Sequence, residues 1–111
     1  MKLIPILQSG VFKFMTTEDP TVPKEAVAMI KEAEGFTLII PAAEEDAEVF
    51  AWISLGNETL LTETGITARF SKALAEAGIA CNVFAGFHHD HIFVPYDKRN
   101  QAVKIIAALE V

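Results

Sequence analysis

The segment from Glu63 to Gly86 constrains the fold of this 111-residue chain more than any other part. It reads ETGITARFSKALAEAGIACNVFAG, and its apolar residues recur at spacings of three and four, at Ile66, Phe70, Ala73, Leu74 and Ala77. This spacing predicts a helix with one apolar face. Thr64 is placed to cap the helix start through its hydroxyl, and Gly78 suits the left-handed position just past the helix end. Small and apolar residues at positions 80–86 then predict a strand that is packed on both faces and contains Cys81.

Patterns elsewhere in the chain predict further strands and two more helices. The strands are expected at Val11–Met15, Phe36–Ile40, Val49–Leu55 and residues 91–95, and Leu3–Leu7 is a short strand or arm. One short helix is expected to carry Ala26, Val27, Ile30 and Ala33 and to end at Gly35. The last helix is expected to carry Ala102, Val103, Ile106 and Leu109. Asp97 can cap that last helix.

The Glu63–Gly86 segment resembles part of the ACT domain, a small regulatory module that binds amino acids. The matching residues are Gly65 and Ile66 at the helix start, Leu74 inside the helix, Gly78 and Ile79 after it, and Asn82 in the next strand. Residues 87–109 are similar to the hairpin and second helix of that module. The whole chain resembles small stand-alone ACT-like proteins. We therefore expect one domain over residues 1–111, with a core ACT unit at 48–111 and residues 1–47 adding strands and a short helix.

The resemblance implies an α+β fold of the ferredoxin-like type. ACT modules usually have the order βαββαβ, but here the sequence ends about two residues after the second helix. The fourth strand is then expected to come from elsewhere, and Phe36–Ile40 or Val11–Met15 could supply it, since an unpaired sheet edge is a liability. We expect an antiparallel sheet of about five to six strands with helices packed on it, completed by N-terminal strands.

Composition excludes several classes of function. Nine Lys and Arg residues against 15 Asp and Glu residues give a net charge of −6, which opposes binding to nucleic acid or to an anionic membrane surface. No apolar run approaches the length of a membrane span, and the first residues lack the pattern of a secretory signal. The single Cys81 cannot form an internal disulfide, which fits a reducing compartment. We predict a soluble, cytoplasmic protein.

The resemblance also implies a ligand site at the loop that leads into the first helix. Backbone N–H groups at a glycine-led helix start suit a carboxylate, and a nearby acidic side chain suits an ammonium group. The candidate ligand-binding residues are Glu63, Thr64, Gly65, Ile66 and Asn82. Glu63 stands where an Asp is more usual in the family. ACT units usually associate side by side, so we expect a homodimer or higher oligomer that binds an amino acid and acts on an unidentified regulated protein, without a cofactor.

Two other hypotheses remain open from the residues alone. All three histidines lie in His88-His89-Asp90-His91, and imidazole and carboxylate groups are ordinary ligands of zinc or nickel, which would suit a metal-assisted enzyme. Glu63 and Asp90 could also act as paired carboxylates. The remaining hypothesis is a purely structural oligomerisation module. Because no serine has an elbow context and no glycine-rich phosphate loop is present, we predict a non-enzymatic protein with no catalytic residues. The histidines lie at a predicted hairpin turn without a second group of ligands elsewhere, so we predict no metal site.

Overall fold

A curled antiparallel sheet of seven strands forms the frame of the protein in a computed structural model that describes all 111 residues. The strands are β1 (Pro5–Leu7), β2 (Phe12–Thr17), β3 (Ala28–Glu32), β4 (Gly35–Pro41), β5 (Phe50–Leu55), β6 (Asn82–Ala85) and β7 (Asp90–Pro95). The helices are α1 (Ile66–Glu76) and α2 (Arg99–Ala107), and a short 3₁₀ turn, Tyr96–Lys98, precedes α2. The predicted α+β class and antiparallel sheet are confirmed.

The strands follow the order β3-β4-β2-β5-β7-β6, and β1 pairs with β5 as well. The succession β5-α1-β6-β7-α2 supplies five of the six elements expected of an ACT unit. Beside β5, the remaining place is taken by β1, whose register runs from Pro5 opposite Leu55 to Leu7 opposite Ile53. The chain then crosses over: β2 meets β5 only where Phe12 faces Phe50, and it pairs with β4 along its whole length.

This pairing decides which N-terminal segment completes the sheet. Of the two candidates, Val11–Met15 reaches the ACT unit at a single residue pair, and Phe36–Ile40 lies one strand farther out, in β4. Most of the free edge of β5 is instead covered by β1, from the segment Leu3–Leu7 that the sequence marked only as a short strand or arm.

The short helix predicted around residues 26–33 is wrong, because those residues contain strand β3. β3 pairs antiparallel with β4 through a two-residue turn, from Ala28 opposite Ile39 to Glu32 opposite Gly35. Pairing gives the backbone of β4 a second hydrogen-bonded neighbour, and this tertiary gain overrides a short helical spacing of apolar residues. Gly35 is needed at the turn: its φ is 140°, and a Cβ there would lie 2.7 Å from the carbonyl oxygen of Thr17.

Neither predicted helix cap forms. The residue preceding α1 is Gly65, in a left-handed conformation with φ 92°, and no side chain, including that of Thr64, caps the helix start. Asp97 lies inside the 3₁₀ turn, and α2 also begins without a side-chain cap. The predicted glycine stop of α1 is confirmed, since Gly78 has φ 73° and Ile79 N–H donates to the carbonyl of Leu74 at 2.9 Å.

Two apolar clusters lie on opposite faces of the sheet. The helix-side core packs α1 and α2 against the sheet and contains Leu3, Ala51, Ile53, Leu55, Ile66, Phe70, Leu74, Ile79, Ile92, Val94, Ala102, Ile106 and Leu109. The aromatic cluster on the other face centres on Phe12, Ile39 and Phe93, with Phe14, Phe50, Trp52 and Phe84 packed around them. Strand alternation makes this division, because successive residues of β5 point to opposite faces.

The strand around Cys81 differs from the prediction. β6 is a four-residue edge strand that begins after Cys81, and it pairs on one side only, with β7. Cys81 is half-buried, and burial raises the pKa of its thiol. Neither α-helix of the protein is long and apolar enough to cross a membrane.

Candidate functional site

The first half of the loop between β5 and α1, residues 56–65, is hydrogen-bonded to two other parts of the chain. Asn57 accepts a hydrogen bond from Ile4 N–H at 2.7 Å and donates one to the carbonyl of Lys2 at 3.0 Å. Farther along, the N–H of the buried Thr59 donates to the carbonyl of His88 at 3.2 Å. The loop is therefore tied to the N-terminal segment and to the β6–β7 turn, which fixes its position over the start of α1.

Glu63 closes the last part of this loop. Its Oε1 accepts a hydrogen bond from Leu60 N–H at 2.8 Å, and its own N–H donates to the carbonyl of Leu60 at 3.1 Å. The second carboxylate oxygen of Glu63 keeps its full capacity to accept hydrogen bonds from a ligand.

The start of α1 presents unpaired backbone donors. The first hydrogen bond of the helix runs from Arg69 N–H to the carbonyl of Gly65 at 3.0 Å, so the N–H groups of residues 66–68 have no acceptor in the chain. The first turn contains no acidic side chain. Unpaired N–H groups at the positive end of the helix dipole favour an anionic group such as a carboxylate.

A cavity of about 130 Å³ lies where the loop, the start of α1 and the β6–β7 turn meet. This loop cavity is lined by Thr59, Leu60, Leu61, Glu63, Gly65, Ile66, Thr67, Ala85, Gly86 and Asp90. A second depression of about 360 Å³ lies on the other side of Gly65, and its lining includes Glu63, Thr64 and Arg69. Four of the five predicted ligand-binding residues thus surround these two adjoining openings.

Asp90 is the one ionisable residue of the loop cavity that the predicted ligand set lacks. It is only 8% exposed, and its carboxylate has no hydrogen-bond donor or ion-pair partner in the chain. Burial raises the pKa of the Asp90 carboxyl, His91 lowers it, and the neighbouring charge of Glu63 raises it further. The sequence suggested a pairing of Glu63 with Asp90, and the structure brings both into one cavity.

Asn82 lies apart from the other predicted ligand-binding residues. It begins β6, whereas Ala85, which lines the loop cavity, ends that strand. Asn82 instead borders a larger, open lateral cavity of about 840 Å³. That cavity is lined by Lys13, Phe14, Glu44, Ala47, Glu48, Val49, Phe50, Ala80, Asn82, Pro95, Tyr96 and Asp97. None of these three cavities contains both Asn82 and Glu63.

The three histidines have separate partners. His88 Nδ1 lies 3.5 Å from Glu58 Oε1, and His89 Nδ1 lies 3.2 Å from the carbonyl of Asn57. His91 points to the aromatic face, where its Nδ1 accepts a hydrogen bond from Trp52 Nε1 at 3.1 Å. No group of three or more His, Cys, Asp or Glu side chains converges on a common point that could hold a metal ion.

Residues 47–108 match the model of the ACT domain family. The chain belongs to the ACT domain family. Within this family the arrangement of β5, α1, β6, β7 and α2 is the ferredoxin-like fold. Membership indicates a regulatory role based on small-molecule binding.

Solved structures similar to this ACT protein agree on its fold. A Vibrio cholerae protein of unknown function, described as a possible transport protein, is 34% identical over 96% of this chain and 88% of its own, with a TM-score of 0.82. An Agrobacterium tumefaciens protein is 16% identical over the same shares, with a TM-score of 0.72, and supports the fold alone. No curated protein matches the chain.

Proposed function

We propose that this ACT protein binds an amino acid in the loop cavity and acts as a non-enzymatic regulatory module. The observation that carries the proposal is the meeting of opposite chemistries in one cavity. Unpaired N–H groups at the start of α1 suit a carboxylate, and the free carboxylate oxygen of Glu63 suits an ammonium group. An amino acid carries both groups on neighbouring atoms.

The proposed roles of the individual residues follow from this arrangement. Gly65 and Ile66 place backbone donors at the helix start, and the left-handed conformation of Gly65 turns the chain into the helix. Thr64 borders the adjoining depression, beside the backbone donors at the start of α1. Asn82, in the lateral cavity, would reach an amino acid in the loop cavity only as a residue of a second subunit.

We also propose that the protein acts as a homodimer or higher oligomer. Large apolar side chains are exposed around the loop cavity: Leu60 is 69% exposed, Leu61 is 63% exposed and Phe87 is 78% exposed. Such side chains next to a ligand site favour cover by another subunit. Sedimentation analysis should give a mass above that of one chain, and Leu61→Glu should lower it. Oligomerisation would let the ligand signal to a regulated partner protein.

The metal-assisted enzyme alternative receives no support from the histidines. A catalytic metal site needs about three converging ligands and an open position, whereas these imidazoles contact different parts of the chain. The non-enzymatic role therefore remains our proposal.

A thermal-shift screen of the twenty amino acids tests the proposal. A ligand that binds only the native state should stabilise it by about 2.7 kcal/mol at a hundred times its Kd. Absence of a shift at millimolar concentrations for every amino acid would favour the purely structural role instead.

Gly65→Val and Gly78→Val form a matched pair for locating the site. Both glycines have positive φ, lie at opposite ends of α1, and have no atoms within 4 Å of a built Cβ. Each substitution should therefore lower stability similarly, by about 1–3 kcal/mol of backbone strain. Only Gly65→Val should weaken ligand binding, because its side chain would occupy the open space beside the donors at the helix start that we assign to the ligand. Equal affinity in the two variants would remove the α1 start from the site.

A further inference from the structure

Asp90 is only 8% exposed, and no cation of the chain forms an ion pair with its carboxylate, whose oxygens remain accessible from the loop cavity. The ion pairs of the protein are at other places: Met1 and Lys2 with Glu110, Lys13 with Asp46, and His88 with Glu58. Burial removes part of the hydration of this carboxylate, and no hydrogen bond or ion pair within the chain compensates for it, so the charge lowers the stability of the protein. A buried group that opposes stability and borders a cavity is typical of a site that is completed by a ligand.

The surroundings of Asp90 add negative charge and no fixed positive charge. Glu63 is the other ionisable group of the loop cavity, and neither Lys nor Arg lines it. His91 follows Asp90 in β7 and points to the opposite face, where burial lowers the pKa of its imidazole. The His89 ring is directed to the carbonyl of Asn57. The carboxylate end of the cavity therefore lacks a cation, and the α1 end lacks an anion.

The volume of the loop cavity limits the size of what can fill it. A cavity of about 150 Å³ accommodates a benzene molecule, and the loop cavity measures about 130 Å³. Glycine and alanine are benzene-sized or smaller, whereas an aromatic amino acid is much larger. Gly86 also lines this cavity and has no room for a side chain, because a Cβ there would lie 2.7 Å from the carbonyl oxygen of His89 across the β6–β7 turn.

We propose that Asp90, together with Glu63, binds the ammonium group of the ligand, and that the loop cavity selects the smallest amino acids, glycine and alanine. This inference rests on the proposed amino-acid-binding function and adds to it a residue and a substrate class. The ligand carboxylate then lies against the N–H groups of residues 66–68, and its ammonium supplies the cation that Asp90 lacks. Binding joins three elements of the fold: α1, the loop and β7.

The test compares alanine with propionate, which is alanine without the ammonium group. Calorimetric titrations are made with the wild type, Asp90→Asn and the control Asp97→Asn, whose carboxylate borders the lateral cavity. Asp90→Asn should weaken alanine binding by between about tenfold and a hundredfold, the range for a hydrogen bond to a charged group. It should strengthen propionate binding, because the repulsion between the two carboxylates is removed. Asp97→Asn should change neither affinity.

The melting temperature without ligand gives a second readout. Asp90→Asn should raise it, because the variant no longer buries an unpaired charge, whereas a residue with only a structural role would lower it on substitution. Asp97→Asn should leave it unchanged. A wild-type protein that binds amino acids, with Asp90→Asn binding alanine equally well, would overturn the role of Asp90 and leave the proposed function intact.

Ligand size is tested separately with leucine and phenylalanine. Tighter binding of either than of alanine by the wild type would overturn the proposed selection of small amino acids. If no amino acid binds to the wild type, the proposed function fails, and the role of Asp90 fails with it.

Discussion

The two faces of the sheet are built from different chemistry. The helix-side core is largely aliphatic, and its thirteen buried residues are all apolar. The opposite face carries the aromatic cluster and, at its edge, a polar network in which Gln8 donates to Ser54 Oγ at 3.2 Å. Ser54 Oγ and Trp52 Nε1 in turn lie 3.2 Å and 3.1 Å from His91 Nδ1.

The difference shows how the N-terminal extension joins the ACT unit. Apart from Leu3, the helix-side core comes entirely from residues 51–109. The N-terminal segment therefore contributes one buried residue to the packing of α1 and α2 on the sheet. The aromatic cluster is shared: Phe12, Phe14 and Ile39 come from the extension, and they pack on Phe50, Trp52, Phe84 and Phe93 of the ACT unit. The helix-side core therefore belongs almost entirely to the ACT unit, and the aromatic cluster joins β2 and β4 of the N-terminal segment to that unit.

Phe70→Ala should have the largest effect on stability. Phe70 is fully buried in the helix-side core, between α1 and the sheet. Loss of the ring should lower the free energy of unfolding by about 3–5 kcal/mol, because a cavity remains that the packed elements cannot fill. Urea unfolding can be followed by Trp52 fluorescence and by circular dichroism, and the midpoints from the two probes should fall by the same amount. A separate transition for each probe would show that the two faces unfold independently.

Phe14→Leu should have a smaller and more local effect. The ring of Phe14 makes edge-to-face contacts with Phe50 and Phe93, at centroid distances of 5.1 Å and 5.6 Å, and it stacks on Phe84. Leucine keeps the position apolar but loses these geometries, each worth about 0.5–1.5 kcal/mol. Hydrogen exchange should become faster in β2, β3 and β4 and remain slow in α1. Faster exchange in α1 to the same extent would contradict the division into two faces.

His91→Gln should mainly change the pH dependence of stability. Burial is the main cause that lowers the pKa of His91. The charge of His89 lowers this pKa further, and the charge of Asp90 raises it. In the unfolded chain His91 takes up a proton near the ordinary histidine pKa of about 6.5. In the folded protein it takes up a proton only at lower pH. Stability from this group is present above about pH 6.5 and is lost as the pH falls towards the folded pKa.

The measurement for His91 is urea unfolding of the wild type and of His91→Gln at pH 7.5 and at pH 5. Glutamine can still accept the hydrogen bond from Trp52 but does not titrate. The wild type should lose more stability on acidification than the variant, since the other titrating groups are common to both. An equal loss would show that His91 is protonated as readily in the folded protein as in the unfolded chain.

Local patterns predicted the elements that local physics controls. The spacing of Ile66, Phe70 and Leu74 predicted α1, and all three are buried on its inner face. Gly78 ends that helix as expected, because few other residues adopt its left-handed conformation without strain. The loop ahead of α1 was also identified as the candidate site, and Glu63, Gly65 and Ile66 line one cavity there.

Other features depend on which distant segments meet. The spacing of apolar residues around Ala28–Glu32 fits a helix, and only the neighbouring β4 makes this segment a strand. Asn82 was grouped with Glu63 by family resemblance, but the direction of β6 carries it towards the lateral cavity. Asp90 looked like part of a histidine-rich turn, and its burial becomes evident only when the loop folds over β7.

The sequence by itself determined the ACT membership, the α+β class, the first helix with its glycine stop, and the loop that leads into it. The family and the fold class follow from the resemblance of the segment after Glu63 to the ACT domain. The first helix and its glycine stop follow from periodicity and from a backbone conformation that few residues tolerate, both of which act over a few neighbouring positions. Tertiary structure alone decided that β1 covers the edge of β5 and that Glu63 and Asp90 share a cavity. Strand pairing and the burial of charge join positions far apart in the chain, and no local pattern records those contacts.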